Sequence, residues 1–330
     1  MKRILKYTLS LLLMAVIALF VWGYAPDTDP DAMKTKYASA ASQFIDVGGG
    51  LTMHVRDEGK RDGPVLVLLH GSNSSLHAWE PWVERLKAKY RIISLDQIGH
   101  GLTGPNPADQ YEAAAFVGTL DALMVKMGVS KFALAGNSMG GYVAWEYALV
   151  HPGKLTHLVL VDAGGPPDDP NKKLPIGFQI ARTPGLSKLA LVITPRSLFE
   201  KSIHQTVSNQ AIVTPEMIDR YWELNRYPGN RSATGLRFAV YASRAMNVGR
   251  LGEIKTPTLI LWGAEDKLIP VSGADWFAAR IAGSVKIIYP GIGHVPMEEA
   301  ADRSAADLDA FLTGPFPSPA KMPSIPTTKP

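Results

Sequence analysis

Three residues suited to nucleophilic catalysis lie at separate points of this 330-residue chain. Ser138 stands in Gly136-Asn137-Ser138-Met139-Gly140, a G-x-S-x-G pattern that follows an apolar run and precedes a helical pattern. In that context the serine occupies a sharp turn between a strand and a helix, and the glycines leave space around it. We therefore predict that Ser138 is a nucleophile, against the alternative of an ordinary Gly-Ser turn.

A base and an acid are needed beside such a serine. A serine hydroxyl becomes a strong nucleophile when a neighbouring base takes its proton. His294 follows the last apolar run in a glycine-containing loop, and we predict that it is this base. A carboxylate must then hold the imidazole in the right tautomer. We predict this role for Asp266, in the loop after residues 258–261, with the neighbouring Glu265 and the strand-terminal Asp162 as alternatives.

Acyl transfer also needs N–H donors for the negative charge that develops on the substrate oxygen. We predict that the backbone N–H groups of Ser72 and Met139 form this oxyanion hole. Ser72 follows His70-Gly71 at the end of an early apolar run, and we expect His70 to hold the loop by hydrogen bonds. Met139 begins a helical stretch, where the first N–H groups have no partner within the helix.

Short, almost wholly apolar runs alternate along the chain with segments of helical spacing. These runs are residues 65–69, 92–95, 132–135, 158–161, 258–261 and 285–289. Such runs are typical of parallel strands that helices cover on both faces, so we predict an α/β fold with a mostly parallel, doubly wound sheet. Residues 164–252 contain amphipathic helical stretches and no clear strand. We predict that they form a helical cap insertion over the carboxyl ends of the strands, where ligands bind in such sheets.

The two ends of the chain differ from the part between them. In residues 1–26 basic residues precede a long apolar stretch. This pattern predicts a transmembrane signal-anchor with the rest of the chain on the outer, extracytoplasmic side of the membrane; export after signal cleavage is the alternative. Residues 27–42 are predicted as a linker and residues 43–313 as the folded domain. Residues 314–330 contain six prolines and are predicted to be disordered.

Composition excludes several classes of function. The chain is 46% hydrophobic and 19% charged, which allows a substantial core, and its net charge of +4 comes from scattered residues. We therefore predict no nucleic-acid partner. The absence of cysteine excludes disulfides, thiolate metal sites and a cysteine nucleophile. With no metal-ligand motif and no glycine-rich dinucleotide motif, we predict neither metal nor organic cofactor. The sequence does not determine the oligomeric state.

From residue 43 to residue 313 the chain resembles the α/β-hydrolase fold family. The resemblance rests on motifs in the family's order: His70-Gly71, Asp96-Gln97-Ile98-Gly99-His100-Gly101, Gly136-Asn137-Ser138-Met139-Gly140, Trp262-Gly263-Ala264-Glu265-Asp266 and Gly293-His294. Taken in that order, the resemblance implies that the five motifs are the family's oxyanion loop, a structural turn, the nucleophile, the acid and the base. Serine at position 138 argues against the branches with an aspartate nucleophile, such as haloalkane dehalogenases and epoxide hydrolases.

The resemblance around Ser138 extends to esterases, monoacylglycerol lipases and meta-cleavage-product hydrolases. We expect hydrolysis of a moderately hydrophobic carboxylic ester, a small molecule, through an acyl-enzyme on Ser138. Hydrolysis of a carbon–carbon bond in a dienoate is an alternative, and it requires cations for the substrate carboxylate, for which Arg182, Arg220 and Arg237 of the cap are candidates. A non-catalytic binding module is a further alternative, which a Ser138→Ala variant with an unchanged cellular role would favour.

Overall fold

An eight-stranded sheet forms the centre of the described molecule. The computed structural model describes residues 2–167, 175–183, 185–243 and 247–314. The strands are β1 (Ser42–Gly48), β2 (Leu51–Gly59), β3 (Val65–Leu69), β4 (Arg91–Leu95), β5 (Phe132–Asn137), β6 (Leu155–Val161), β7 (Thr258–Gly263) and β8 (Val285–Tyr289). Their order is β1-β2-β4-β3-β5-β6-β7-β8, with β1 and β2 antiparallel to their neighbours and the rest parallel. The predicted α/β fold with a mostly parallel sheet is confirmed.

The helices of the described part lie on both faces of the sheet, in the cap and before the first strand. In chain order they are α1 (Lys2–Gly23), α2 (Pro30–Tyr37), α3 (Glu80–Leu86), α4 (Ala113–Lys126), α5 (Met139–Val150), α6 (Ile176–Arg182), α7 (Leu186–Leu189), α8 (Arg196–Thr206), α9 (Pro215–Asn225), α10 (Asn230–Ser243), α11 (Ser272–Ala278), α12 (Pro296–Glu299) and α13 (Ala301–Thr313). Short 3-10 helices span Leu76–Trp79, Gln210–Ile212 and Val248–Glu253. One core packs α4, α5 and α11 on the sheet, and the other packs α3 and α13 on its opposite face.

Strand β3 shows how the sequence builds two cores from one apolar run. Leu66 and Leu68 belong to one core, and Val67 and Leu69 belong to the other. Successive side chains of a strand point to opposite faces of the sheet, so a strand buried on both faces must be apolar at every position.

The helices α6 to α10 all lie in the interval between β6 and β7, where the cap is predicted. Within it, α8 packs against α9, and α6 packs against both α8 and α10. A small apolar cluster of Ile203, Met217 and Ile218 joins α8 to α9. Residues 168–174, 184 and 244–246 of this interval lie outside the described part.

The predicted membrane anchor is not supported by the structure. Among the described residues, no helix is both long enough and apolar enough to cross a membrane. Helix α1 covers most of residues 1–26.

The segment predicted as a linker contains a helix that the sequence analysis did not predict. Helix α2 begins at Pro30, and the Asp29 carboxylate accepts a hydrogen bond from the Ala32 N–H at its first turn. Met33 and Tyr37 are its buried residues, and they pack with Leu224 of the cap. Two buried positions in eight residues are too few to produce a recognisable helical period. The residues from 315 to 330 of the predicted disordered tail lie outside the described residues.

Further hydrogen bonds join the chain before α2 to the cap. The N–H of Ala25 donates to the Val192 carbonyl at 3.0 Å, and the N–H of Thr194 donates to the Gly23 carbonyl at 2.8 Å. The Tyr37 hydroxyl donates to the Glu223 carboxylate of α9 at 2.6 Å. Residues 23–37 therefore lie against the cap.

Candidate active site

Ser138 occupies the turn between β5 and α5. Its backbone has φ 54° and ψ −116°, and residues other than glycine rarely adopt a positive φ. A Cβ added to Gly136 would lie 2.2 Å from the Gly140 carbonyl oxygen, and one added to Gly140 would lie 2.1 Å from the Leu69 carbonyl oxygen. The backbone around the serine therefore leaves no room for a side chain at either glycine.

His294 and Asp266 are in hydrogen-bond contact. Nδ1 of His294 lies 2.8 Å from Oδ2 of Asp266, and both residues are buried. The other carboxylate oxygen, Oδ1, accepts the N–H groups of Leu268 at 2.6 Å and Ile269 at 3.0 Å. These bonds hold the carboxylate in place beside the ring. The alternative acid Glu265 is exposed to solvent.

One pocket contains both Ser138 and His294 in its lining. Ser72, one of the two predicted oxyanion residues, also lines it, and Met139, the other, follows Ser138 as the first residue of α5. The cap supplies mostly apolar side chains to the same pocket, among them Phe178, Ile180, Leu198, Phe199, Ile203 and Met217. The pocket therefore places a serine and a histidine beside an apolar space.

Buried His70 holds the loop that carries Ser72. Its Nδ1 lies 2.7 Å from the Gly71 carbonyl, and its Nε2 accepts the Gln97 N–H at 3.1 Å. Because one ring nitrogen donates and the other accepts, the ring is neutral in this arrangement. Burial lowers the pKa of His70, which favours the same neutral form. His70 is thus a structural support for the loop.

Asp96 forms the structural turn implied by the sequence resemblance. The fully buried carboxylate lies 2.7 Å from Nδ1 of His54 and accepts the N–H groups of Leu76 at 2.8 Å and Leu102 at 2.9 Å. Burial alone would raise the pKa of Asp96, but the hydrogen bond from His54 and the nearby histidines hold it well below its usual range. Asp96 thereby ties three segments together at the end of β4.

Comparison with known proteins identifies the family. Residues 64–301 match the family described as the alpha/beta hydrolase fold, and this match covers more than half of the chain. The chain belongs to the α/β-hydrolase fold family.

Among relatives of this hydrolase are 2-hydroxy-6-oxononadienedioate/2-hydroxy-6-oxononatrienedioate hydrolases. The protein from Klebsiella pneumoniae is 30% identical, over 80% of this chain and 93% of the relative. The protein from Comamonas testosteroni is 25% identical, over 84% of this chain and 98% of the relative. A solved structure described as a membrane phospholipase A, a bacterial virulence factor, is 24% identical with a TM-score of 0.71, and covers 94% of this chain and 98% of its own. At that identity the structural likeness shows the fold alone.

Two polar residues of the hydrolase site were missed by the sequence analysis. The buried Asn137 side-chain amide donates to the His294 carbonyl at 3.0 Å and to the Val161 carbonyl at 3.2 Å. Glu299 accepts the N–H groups of Gly293 at 3.1 Å and Ser208 at 2.8 Å. Asn137 therefore joins the serine turn to the histidine loop, and Glu299 joins that loop to the chain after α8. The links from Asn137 to His294 and from Glu299 to Ser208 have no local signal, since these partners lie 157 and 91 positions away.

The third acidic candidate also lies at this site. One donor atom each of Asp162, Asp266 and His294 lies within 4.8 Å of the others, a spacing that could also hold a metal ion. Nδ1 of His294 and Oδ2 of Asp266 are bonded to each other, however, and Oδ1 of Asp266 is taken by two N–H groups. The arrangement suits an acid–base pair with a second carboxyl beside it.

Proposed function

We propose that the protein hydrolyses a moderately hydrophobic carboxylic ester through an acyl-enzyme on Ser138. The observation that carries the proposal is the apolar pocket under the cap, whose lining includes Ser138 and His294. An ester with an apolar acyl chain would bury that chain against the cap, with favourable free energy of about 25 cal/mol for each Å² of apolar surface removed from water. The reacting carbonyl would then lie at the serine end of the pocket.

In this mechanism the Ser138 hydroxyl attacks the ester carbonyl while His294 takes its proton. The hydrogen bond from His294 Nδ1 to Asp266 orients the ring and stabilises the imidazolium that forms. Backbone N–H groups of Ser72 and Met139 would bind the oxyanion. The alcohol leaves with the proton from His294, and a water molecule, activated by the same ring, then releases the acid and regenerates Ser138.

The basic residue of the described pocket lining favours an ester over a substrate with free carboxylates. Arg231 is the one lysine or arginine in the described pocket lining. Its guanidinium already donates to the Asp27 carboxylate at 2.6 Å and to the Ala25 carbonyl at 2.6 Å. Its charge is therefore neutralised by the segment before α2, so a substrate with free carboxylates would need another cation, such as Arg237 behind the Asn73 side chain.

Carbon–carbon bond hydrolysis is the second candidate. The relatives from Klebsiella pneumoniae and Comamonas testosteroni are named 2-hydroxy-6-oxononadienedioate/2-hydroxy-6-oxononatrienedioate hydrolases, and these names support the second candidate. Of the three arginines predicted for such a substrate, Arg237 lies beside the site, where it donates to the Asn73 side chain at 2.9 Å. The side chain of Arg182 lies outside the described part.

The experiment compares the two candidates on the full-length protein. We would measure hydrolysis of p-nitrophenyl esters from acetate to dodecanoate, and of a 2-hydroxy-6-oxohexa-2,4-dienoate, beside Ser138→Ala and the exposed Ser272→Ala control. We expect ester hydrolysis that is highest at a medium chain length, is lost in Ser138→Ala and is kept in Ser272→Ala. Hydrolysis of the dienoate alone would replace the ester proposal with the second candidate.

Labelling of Ser138 by a fluorophosphonate tests whether Ser138 is an activated nucleophile, whatever the substrate is. A labelled protein that hydrolyses neither compound would retain the serine mechanism and reject both substrate classes. A folded protein that is not labelled would reject Ser138 as an activated nucleophile.

A further inference from the structure

Asp162 is a buried carboxyl that the ester mechanism does not use. It follows β6 with a φ of 44°, a conformation that costs free energy in residues other than glycine and is best tolerated by Asn and Asp. Its side chain is fully buried, and Oδ1 accepts the Gly263 N–H at 3.0 Å. Oδ2 is buried without a hydrogen-bond donor among the described residues. An ionised carboxylate in this position would leave one oxygen unsatisfied.

The neighbours of Asp162 decide where the negative charge lies. Asp266 is held by two N–H groups and by His294 Nδ1, whereas Asp162 receives one N–H. Two adjacent buried carboxyls do not both ionise, because like charges repel strongly away from water. Asp266, which has more hydrogen bonds to its carboxylate, therefore carries the negative charge, and the proton stays on Asp162. Burial and the charge of Asp266 raise the pKa of Asp162 well above its usual range, and Glu299 raises it further.

We propose that Asp162 is a positioning residue of the acid–base pair: as a neutral acid it donates a hydrogen bond from Oδ2 to the Asp266 carboxylate. That bond supplies the missing partner of Oδ2 and holds Asp266 against His294. The proton of Asp162 does not move during the reaction; the proton of Ser138 goes to His294 alone. The proposal rests on the proposed role of Ser138 and His294, and not on the substrate.

The test uses Asp162→Asn, which keeps the shape of the side chain and tolerates a positive φ. Asparagine is neutral, accepts the Gly263 N–H with its oxygen and donates to Asp266 with its amide. We would measure the rate at which a fluorophosphonate labels Ser138 as a function of pH, a readout that needs no knowledge of the substrate. The acid limb of this profile reports the pKa of the base.

If Asp162 is neutral, Asp162→Asn changes no charge, and the acid limb moves by less than about 0.3 pH unit, with a labelling rate within about threefold of the wild type. If Asp162 is ionised, the substitution removes a negative charge from beside His294, and the acid limb moves down by about one pH unit or more, which would overturn the proposal. The control Asp302→Asn removes a charge from a side chain that is 92% exposed. It should leave the profile unchanged.

A second readout on the wild type does not depend on the folding of a variant. We would titrate the aspartate carboxyls by carbon-13 NMR. One aspartate that remains protonated at neutral pH supports the proposal, and complete ionisation of all aspartates at neutral pH overturns it. A wild-type protein that is never labelled at Ser138 would instead reject the proposed function, while the NMR result would still decide the protonation of Asp162.

Discussion

At the scale of single residues, Arg237 places a buried cation beside the site. Its guanidinium is buried, donates to the Asn73 and Thr234 side chains at 2.9 and 2.7 Å, and approaches the Met139 sulfur at 3.9 Å. No carboxylate of the described residues pairs with it, and Nε is buried without an acceptor. Burial lowers the pKa of Arg237 to about 9, so it stays positive at neutral pH. The guanidinium therefore contacts Asn73, which follows Ser72, and the side chain of Met139, so it lies close to both predicted oxyanion donors.

We predict that Arg237→Met lowers kcat for ester hydrolysis about tenfold with a smaller change in KM. The substitution removes a positive charge near the predicted oxyanion hole and one of the two donors to the Asn73 side chain, the other being Thr234. We expect a smaller effect than the loss of an oxyanion donor itself. Arg237→Lys should recover part of the loss, because the ammonium keeps the charge but not the forked donors. The exposed Arg250→Met serves as the control. Steady-state kinetics with an unchanged kcat in Arg237→Met would contradict the prediction.

At the scale of elements, the β5–turn–α5 unit positions the serine, and its glycines are the main constraint. The atoms nearest to a Cβ on Gly136 are the backbone carbonyl of Gly140 at 2.2 and 2.3 Å and the N–H of Gly141 at 2.6 Å. Backbone atoms cannot move aside as the end of a flexible side chain can, so the turn itself would have to open. By contrast, a Cβ on Gly118 of α4 would meet nothing within 4 Å.

We predict that Gly136→Ala destabilises the protein by at least about 3 kcal/mol, the upper range for overpacking a well-packed site. Gly118→Ala should stabilise it by about 0.5–1 kcal/mol, because glycine in a helix interior is unfavourable relative to alanine. The measurement is equilibrium unfolding in urea, and the comparison of the variants requires that their m-values are equal. Equal stabilities for the two variants would show that the turn relaxes around the added methyl group.

At the scale of the whole molecule, buried histidines link stability to pH. Burial lowers the pKa of His70, His77 and His100, and that of His77 falls to about 4, with Arg56 adding to the effect. A histidine with a lowered pKa in the folded state stays neutral there while the unfolded chain takes up a proton below about pH 6.5. Stability is therefore lost as the pH falls from 6.5 towards 4.

Two carboxyls with a raised pKa act in the opposite direction. Burial raises the pKa of Asp162 and raises that of Glu298 to about 7. The folded state then holds protons that the unfolded chain releases above about pH 4, so stability is lost as the pH rises through this range. The pH dependence of the unfolding free energy of the wild type is therefore the difference between the histidine and carboxyl contributions. A single substitution isolates one of these contributions.

We predict that His77→Gln reduces the dependence of unfolding free energy on pH between about 4.5 and 6 by up to about 1.4 kcal/mol per pH unit, the effect of one proton. In the wild type, Nε2 of His77 lies 2.9 Å from Nη2 of Arg56 and 3.0 Å from the Tyr37 carbonyl oxygen, and burial together with the Arg56 charge disfavours a protonated ring. Urea unfolding at several pH values gives the slope, with the exposed His204→Gln as control. An unchanged slope in His77→Gln would mean that His77 takes up its proton while the protein is still folded.

The sequence by itself determined the fold class and the family. Strands such as β3 and β7 are buried on both faces, and continuous apolar runs record that burial locally. The serine turn is also marked locally by its glycines: the atoms that limit Gly136 belong to Gly140 and Gly141, although Gly140 itself is limited by the Leu69 carbonyl oxygen of β3. Ser138, Asp266 and His294 could be selected because each follows a strand at the same edge of a parallel sheet. Their catalytic roles stay predictions until Ser138 is labelled.

The tertiary structure decided which polar groups meet. Arg237 donates a hydrogen bond to Asn73, 164 positions away in sequence, and Asn137 donates one to the His294 carbonyl, 157 positions away. Asp162 and Asp266 come together because β6 and β7 are neighbours in the sheet. No local pattern encodes such pairs, since hydrophobic periodicity reports the burial of a residue and not the identity of its partner. The same reason hid helix α2, whose contacts with the cap depend on two side chains and not on a repeating apolar face.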